Sequence, residues 1–212
     1  GKLEGADTLL SGTLVITTVN NLAPFLMPIL ADFQQEYPEI KLEYATDSRL
    51  LKLEHGEAHI SIRPGKKPND PDYVVQELAS VATTLYGSLD YVMKHGLIQD
   101  LSDVTGHRFI STIEPFDRTV YMQWMNANVP PEQIYYRSNT FSNFPHAAIA
   151  GLGAAPLACW QAQMENSLRP LHPPPEDWNF DLWLLTHRDM HRTSKVQAFT
   201  QFLKNRFTKE QH

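Results

Sequence analysis

The chain has 212 residues, 42% of them hydrophobic and 20% charged, with a formal net charge of −6. That length suits one domain or two small ones, and the acidic balance argues against this segment gripping a phosphate backbone, since nucleic-acid modules are usually basic. One cysteine, Cys159, leaves no internal disulfide framework, and no apolar run is long enough to span a bilayer. The opening GKLEGADTLLSG has no charged-then-apolar signal segment, so the expected compartment is the cytoplasm.

In chain order, Leu14 to Val19 form an apolar run that reads as a strand and meets Asn20 and Asn21. Apolar residues then recur at Leu22, Phe25, Leu26, Ile29, Leu30 and Phe33, which is one face of a helix stopped by Tyr37-Pro38. Pro28 lies inside it and predicts a kink or a late start. Ile40, Leu42 and Tyr44 alternate as a half-buried strand. Thr46, Asp47 and Ser48 offer caps for a short helix ended by Gly56, and His59 to Arg63 returns to strand. Strand–helix–strand–helix–strand implies a parallel sheet, whose carboxyl edge is where ligands bind.

The second half reads in the same way. Val81 to Tyr86 is a strand, and Ser88 and Gly96 bracket a helix over Leu89 to His95. Asp100 to Val104 reads as a short helix and Arg108 to Thr112 as a strand. Asp117 can cap a helix carrying Val120, Tyr121, Trp124 and Met125. Gln133 to Arg137 is a strand, Phe141 to Ala150 a helix, Gly153 to Leu157 a strand and Leu182 to Thr186 another. Leu171 to Asp177 holds three consecutive prolines and predicts a rigid, extended surface connection. Val196, Phe199, Phe202, Leu203 and Phe207 mark the apolar side of a last helix, with Thr193 or Ser194 as its cap. No internal repeat of fixed period is present.

The strings GTLVITTVNNLAPFLMP, FQQEYPEIKLEY and HGEAHISIRPG resemble the effector-binding domain of LysR-type transcriptional regulators. Ser138-Asn139-Thr140 opening a helix that ends in AGLGAA, and the final strand and helix, follow that family's order. The resemblance covers the whole chain. It implies an α/β fold of two Rossmann-like subdomains joined by two crossover strands, like the type 2 periplasmic binding proteins. Subdomain I is then 11–80 plus 184–208, and subdomain II is 81–183. Residues 1–10 are expected to be linker, with the family's N-terminal winged helix-turn-helix absent from this chain.

The resemblance also brings the Asn20-Asn21, Thr46-Asp47-Ser48 and Asn139-Thr140-Phe141 termini to a cleft between the subdomains. Helix N-termini carry unsatisfied N–H groups and partial positive charge, which can hold a small carboxylate. Each of these residues could equally be no more than a cap. Arg63 ends the strand HISIR and could grip a carboxylate in a forked geometry, or form a structural ion pair. The expected ligand-binding set is Thr18, Val19, Asn20, Asn21, Thr46, Asp47, Ser48, Arg63, Asn139, Thr140 and Phe141. Val19 stands where the family usually has a serine, which implies a less polar ligand face there.

Other chemistry is thin. His187 and His191 are four apart, as are His55 and His59, but neither pair sits in an HExxH frame. GxSxG, Walker and GxGxxG motifs are missing, so no catalytic residue, metal or cofactor is assigned and the chain reads as a non-enzyme. Cys159 beside Trp160 is a lone thiol, which is usually inert when buried. The family implies an allosteric sensor of a small polar or anionic effector. It implies a homodimer or tetramer that reaches DNA only through the missing N-terminal domain and makes no use of a membrane. The competing reading is an extracytoplasmic solute-binding protein of the same two-lobed architecture.

Overall fold

Leu14 and Ile16 are fully buried at alternate positions of strand β1 (Gly12–Thr18), the pattern of a strand with one face on a core. The computed structural model describes residues 10–46 and 58–210, with side chains to 208. The expected linker before Leu10, and the expected helix between Thr46 and Gly56 with its caps Asp47 and Ser48, lie outside the described residues. The chain divides into two compact units. One comprises residues up to Ala79 and from Asp181 onward, and the other is Ser80–Phe180.

In the first unit β1 pairs in parallel with β2 (Ile40–Thr46) and with β3 (Ile60–Gly65), in registers that set Thr18 opposite Thr46 and Thr17 opposite Ser61. β10 (Phe180–His187) joins β3 antiparallel, and β4 (Tyr73–Val81) completes the order β2-β1-β3-β10-β4. The parallel pairing expected of the first three strands therefore holds, and β10, for which no direction was expected, runs against them. The chain re-enters this sheet from the second unit, with no βαβ crossover to impose the parallel direction. β4 was not anticipated. It is an edge strand whose buried residues, Tyr73, Leu78 and Val81, do not alternate, so it carries no period-two signal.

Helix α1 (Ala23–Glu36) buries Leu26, Ile29, Leu30 and Phe33. It runs on through Pro28, which is exposed. A 3-10 turn, Asn20–Leu22, precedes it. The C-terminal helix α7 (Ser194–Glu210) packs against α1: the Phe33 ring lies 5.0 Å from that of Phe199, edge-on, and Phe25 lies 5.5 Å from Phe207. Between β10 and α7 stands a single turn, α6 (Arg188–His191), capped by the His187 side chain, which accepts the Asp189 amide. The short helix was not foreseen.

The second unit holds two sheets. β5 (Thr83–Ser88) is buried throughout and lies antiparallel between β8 (Ala155–Ala158) and β9 (Leu168–Pro170). β6 (Phe109–Thr112) pairs in parallel with β7 (Ile134–Ser138) across helix α3 (Val120–Asn128). Helix α2 (Leu89–His95) is capped by Ser88, whose hydroxyl accepts the Tyr91 amide. Phe109, Met122, Met125 and Trp178 form one core, and Phe144, Ala148, Leu157 and Leu168 another. Pro173 and Pro174 are exposed, while Leu171 and Trp178 anchor the proline segment at both ends.

Three expectations for this unit are corrected. Asp100 to Val104 is not helical: Asp100 and Asp103 turn their carboxylates onto the Ser102 and Thr105 amides two residues on, which competes with helical bonding. The cap of α3 is Thr119, accepting from Met122, rather than Asp117. The helix expected over Phe141 to Ala150 is a 3-10 turn, Phe141–Asn143, followed by α4 (Phe144–Ile149). Pro145 at its start cannot supply an amide to a continuous α-helix. The last helix of the unit is the single turn α5 (Cys159–Ala162). No helix among the described residues is long and apolar enough to cross a membrane.

Candidate functional site

In the first unit β1, β2 and β3 run parallel, so their carboxyl ends point to one edge of the sheet, with β3 running on past the end of β1 to Gly65. The Thr18 hydroxyl, fully buried, donates to the Ile62 carbonyl at 2.7 Å and ties β1 to β3 there. Arg63 follows. Residues two apart on a strand share a face, and the Arg63 Nε donates to the Ser61 Oγ at 2.7 Å. Its Nη2 reaches the Thr17 Oγ1 at 3.3 Å. Arg63 is 8% exposed. A guanidinium buried to this degree needs hydrogen-bonding partners to offset lost hydration, and two hydroxyls from neighbouring strands provide part of that here. Thr46, opposite Thr18 in the register, is exposed.

The α1 terminus differs from the sequence reading. Val19 is extended and begins the 3-10 turn, Leu22 begins the α-helix, and neither makes a side-chain cap. Asn20 and Asn21 sit within the turn, so Asn21 does not cap α1. The Leu22 amide donates to the Val19 carbonyl at 3.3 Å.

In the second unit the carboxyl end of β7 leads into the turn that holds the other expected residues. Thr140 caps that turn, its hydroxyl accepting from the Ser142 amide at 3.3 Å. The Ser138 Oγ accepts from the Thr140 amide at 3.2 Å and from Asn143 Nδ2 at 3.0 Å, fixing the turn from below. Asn139 is exposed. Phe141 is half-buried between Phe116 and Phe144, with ring centroids 5.0 and 4.9 Å away, so much of its surface is spent on packing. The Ser142 Oγ is buried with no hydrogen-bond partner among the described residues. Thr18 and Arg63 are thus brought together at one sheet edge, and Asn139, Thr140 and Phe141 at another. Sequence reading missed Thr17, Ser61 and Ser138, the hydroxyls that position them. The i, i+2 spacing of Ser61 and Arg63 in HISIR was the available signal.

The described members of the two spaced histidine pairs have structural partners, His187 being the cap of α6. His59 Nδ1 accepts the Val15 amide at 2.8 Å, and His191 Nδ1 lies 3.0 Å from the Thr186 hydroxyl. Burial lowers the pKa of both below the ordinary histidine value. His55 lies outside the described residues, and those residues contain no group of three or more His, Cys, Asp or Glu placed to hold a metal. Cys159 is buried beside Tyr86, whose phenol is pushed up by burial and by its bond to that thiol. Open hollows of about 390 Å³ beside Tyr86 and Arg169, and of about 330 Å³ between Glu36 and Phe202, contain none of the expected ligand residues.

Residues 7–208 match the sequence pattern of the LysR substrate binding domain. The chain belongs to that family. A transcriptional repressor of the helix-turn-helix type from Pseudomonas aeruginosa is 23% identical over 97% of this chain and 67% of its own length. A helix-turn-helix regulator from Xanthomonas campestris is 30% identical over 41% of the chain and 25% of its own length. The chain thus spans between a quarter and two thirds of these curated relatives. Among solved structures, the LysR-type regulator CrgA of Neisseria meningitidis superposes with a TM-score of 0.79 at 18% identity, covering 97% of this chain and 72% of that one. The regulatory domain of AphB from Vibrio vulnificus gives 0.68 at 22% identity, covering 92% and 98%. The fold of the LysR substrate binding domain is that of the type 2 periplasmic binding proteins, and the curated relatives are regulators rather than transport proteins.

Proposed function

We propose that this chain is the effector-sensing part of a bacterial LysR-type transcriptional regulator. A small polar or anionic metabolite is its ligand, taken by the set Thr18 to Asn21, Thr46 to Ser48, Arg63 and Asn139 to Phe141. Membership of the LysR substrate-binding family supports this reading, and the observation that carries the ligand class is Arg63. Its guanidinium is buried within β3 and oriented by the Ser61 and Thr17 hydroxyls. A planar cation held in a fixed orientation suits a carboxylate, because less freedom is lost when the ligand binds. Val19, the aliphatic residue that follows β1, favours an effector with an apolar portion as well as a charged end.

Effector binding then biases a two-state arrangement of the full-length oligomer, and DNA is held by its helix-turn-helix part rather than by this chain. The chain performs no turnover, pairs with a second copy as a homodimer or within a tetramer, and works in the cytoplasm. The test is a thermal-shift screen with small carboxylates against neutral analogues. A ligand at 100 times its dissociation constant adds about 2.7 kcal/mol of stability. Stabilisation by a carboxylate that is lost in Arg63→Gln supports the assignment. Equal stabilisation of parent and variant places the effector elsewhere.

A further inference from the structure

Tyr91 on α2 and His107, just before β6, are both buried and meet at 2.9 Å between the phenol oxygen and Nδ1. The same phenol oxygen accepts the Arg108 amide at 2.9 Å and lies 3.1 Å from the Arg108 carbonyl. It therefore has two acceptors within reach and one proton to give. The His107 ring also interacts with the Leu97 backbone in a way that favours its protonated form, and with Nδ1 facing Tyr91 the nitrogen left for this is Nε2. A carbonyl there demands an N–H, which leaves Nδ1 bare in the neutral ring and sends the Tyr91 proton to it.

We infer that Tyr91 and His107 form a proton-controlled hydrogen-bond switch that reports to the joint between β6 and the segment leading into β8. When a proton is added at Nδ1, that nitrogen becomes a donor to the Tyr91 oxygen. The Tyr91 proton then swings to the Arg108 carbonyl. One proton is gained, no bond is left unmade, and no backbone need move. The Arg108 carbonyl is the point of output. It already accepts the Ala154 amide at 2.8 Å, and the Ala154 carbonyl accepts from Ile110 at 2.9 Å. A second donor arriving at that oxygen competes with Ala154 for it. The joint is tight, for a Cβ on Gly153 would lie 2.9 Å from the same oxygen. Gly153 ends the loop that follows α4, so the switch sits at the base of the turn-and-helix segment beginning at Thr140.

The charged and titratable neighbours set where the switch operates. From α2, Tyr91 and His95 face the ring; His95 stacks on Tyr91 at 4.4 Å, lies 6.4 Å from His107, and is held by the Gly106 carbonyl at 3.0 Å. From the preceding loop comes Asp103, and from β6 the neutral Phe109 ring. Gln133 holds the His107 carbonyl at 3.1 Å without charge, and the Arg108 guanidinium is turned away over the Tyr135 ring. Burial lowers the His107 pKa first and His95 lowers it further, against smaller upward pulls from Leu97 and Asp103.

The test is nitrogen-resolved NMR titration of the isotopically labelled chain between pH 5 and 8. The expected result is a single neutral His107 tautomer with the proton on Nε2. Its midpoint should lie below the ordinary value of about 6.5, and the Arg108 and Ala154 amides should move with that midpoint. In His107→Gln, whose amide oxygen can accept from Tyr91 and whose nitrogen can donate to Leu97, those two amides should stop titrating. An Nδ1–H tautomer at neutral pH overturns the inference. So do Arg108 and Ala154 amides that stay still through the His107 midpoint, or that still move in the variant.

Discussion

His59 and Val15 are joined twice: the Val15 amide donates to the His59 ring at Nδ1, 2.8 Å away, and the His59 amide donates to the Val15 carbonyl at 2.9 Å. The pairing of β1 with β3 begins just after, at Ile16 and Ile60. A side chain thus extends the ladder by one rung ahead of the strand. That rung exists only while Nδ1 is unprotonated, because an imidazolium has no acceptor.

The sign of the pH dependence follows. Burial, and after it the Lys195 ammonium, lower the folded His59 pKa, with Glu43 opposing. The unfolded chain then binds the proton more readily than the folded one. This contribution is whole above about pH 6.5, the unfolded value, and is lost as pH falls through the lower folded value. Urea unfolding of the parent between pH 7.5 and 5 should show declining stability. His59→Asn, which offers an acceptor without a proton equilibrium, should show a shallower decline. Equal slopes would remove His59 from the account.

Phe33 is the centre of the first unit's aromatic packing. It is fully buried, with Phe199 and Tyr37 each 5.0 Å away and Phe202 at 5.5 Å. Phe33→Ala loses the transfer energy of the ring and leaves a cavity between two helices, a change of about 3–5 kcal/mol. Phe33→Leu should cost less, because more of the volume is kept. Denaturant midpoints of the two variants, read against an unchanged slope, check the order.

The helical faces of α1 and α7 and the presence of strands before Asn20 and over HISIR were legible because each rests on local chemistry, although β3 runs on past Arg63 to Gly65. A 3.6-residue apolar period, a Tyr-Pro stop and a short apolar run are all visible in one window of sequence. What was not legible depends on partners far along the chain. The direction of β10 is set by where the chain re-enters the sheet. β4 is an edge strand with irregular burial. Asp100 and Asp103 read as parts of a helix because the competition between an Asx turn and a helix is decided by tertiary packing, which no window contains. At the candidate site, the residue types were readable but the hydroxyls beneath them were not. The Thr17 contact to Arg63 spans 46 positions.

The start of α3 separates two acidic or hydroxyl candidates. Thr119 accepts the Met122 amide at 3.4 Å, while Asp117 contributes a backbone carbonyl to Gln123 Nε2. Thr119→Ala should cost about 1 kcal/mol, the usual worth of a lost N-cap and at the low end for so long a bond. Asp117→Ala keeps the carbonyl and should change stability by less than about 0.5 kcal/mol, as for an unremarkable surface site. Paired denaturation curves decide it, and a larger loss at Asp117 would return the cap to that residue.

Arg63 gives the sharpest test of the ligand assignment, because its anchors can be removed separately from its charge. Arg63→Gln deletes the cation. Ser61→Ala leaves the cation but removes the hydroxyl 2.7 Å from Nε that aims it. If a carboxylate effector is gripped by Arg63, loss of the charge-assisted bonds should cost roughly 1.5–3 kcal/mol, about ten- to a hundredfold in affinity. Ser61→Ala should weaken binding less, by admitting other guanidinium orientations that the ligand must then restrict. A neutral analogue of the same effector should bind parent and Arg63→Gln alike, since it has no charge for the cation to meet. Titration calorimetry on folded variants, with folding confirmed by circular dichroism, reads all three. Were the neutral analogue to lose as much as the acid, Arg63 would be supporting the fold around the ligand rather than contacting it.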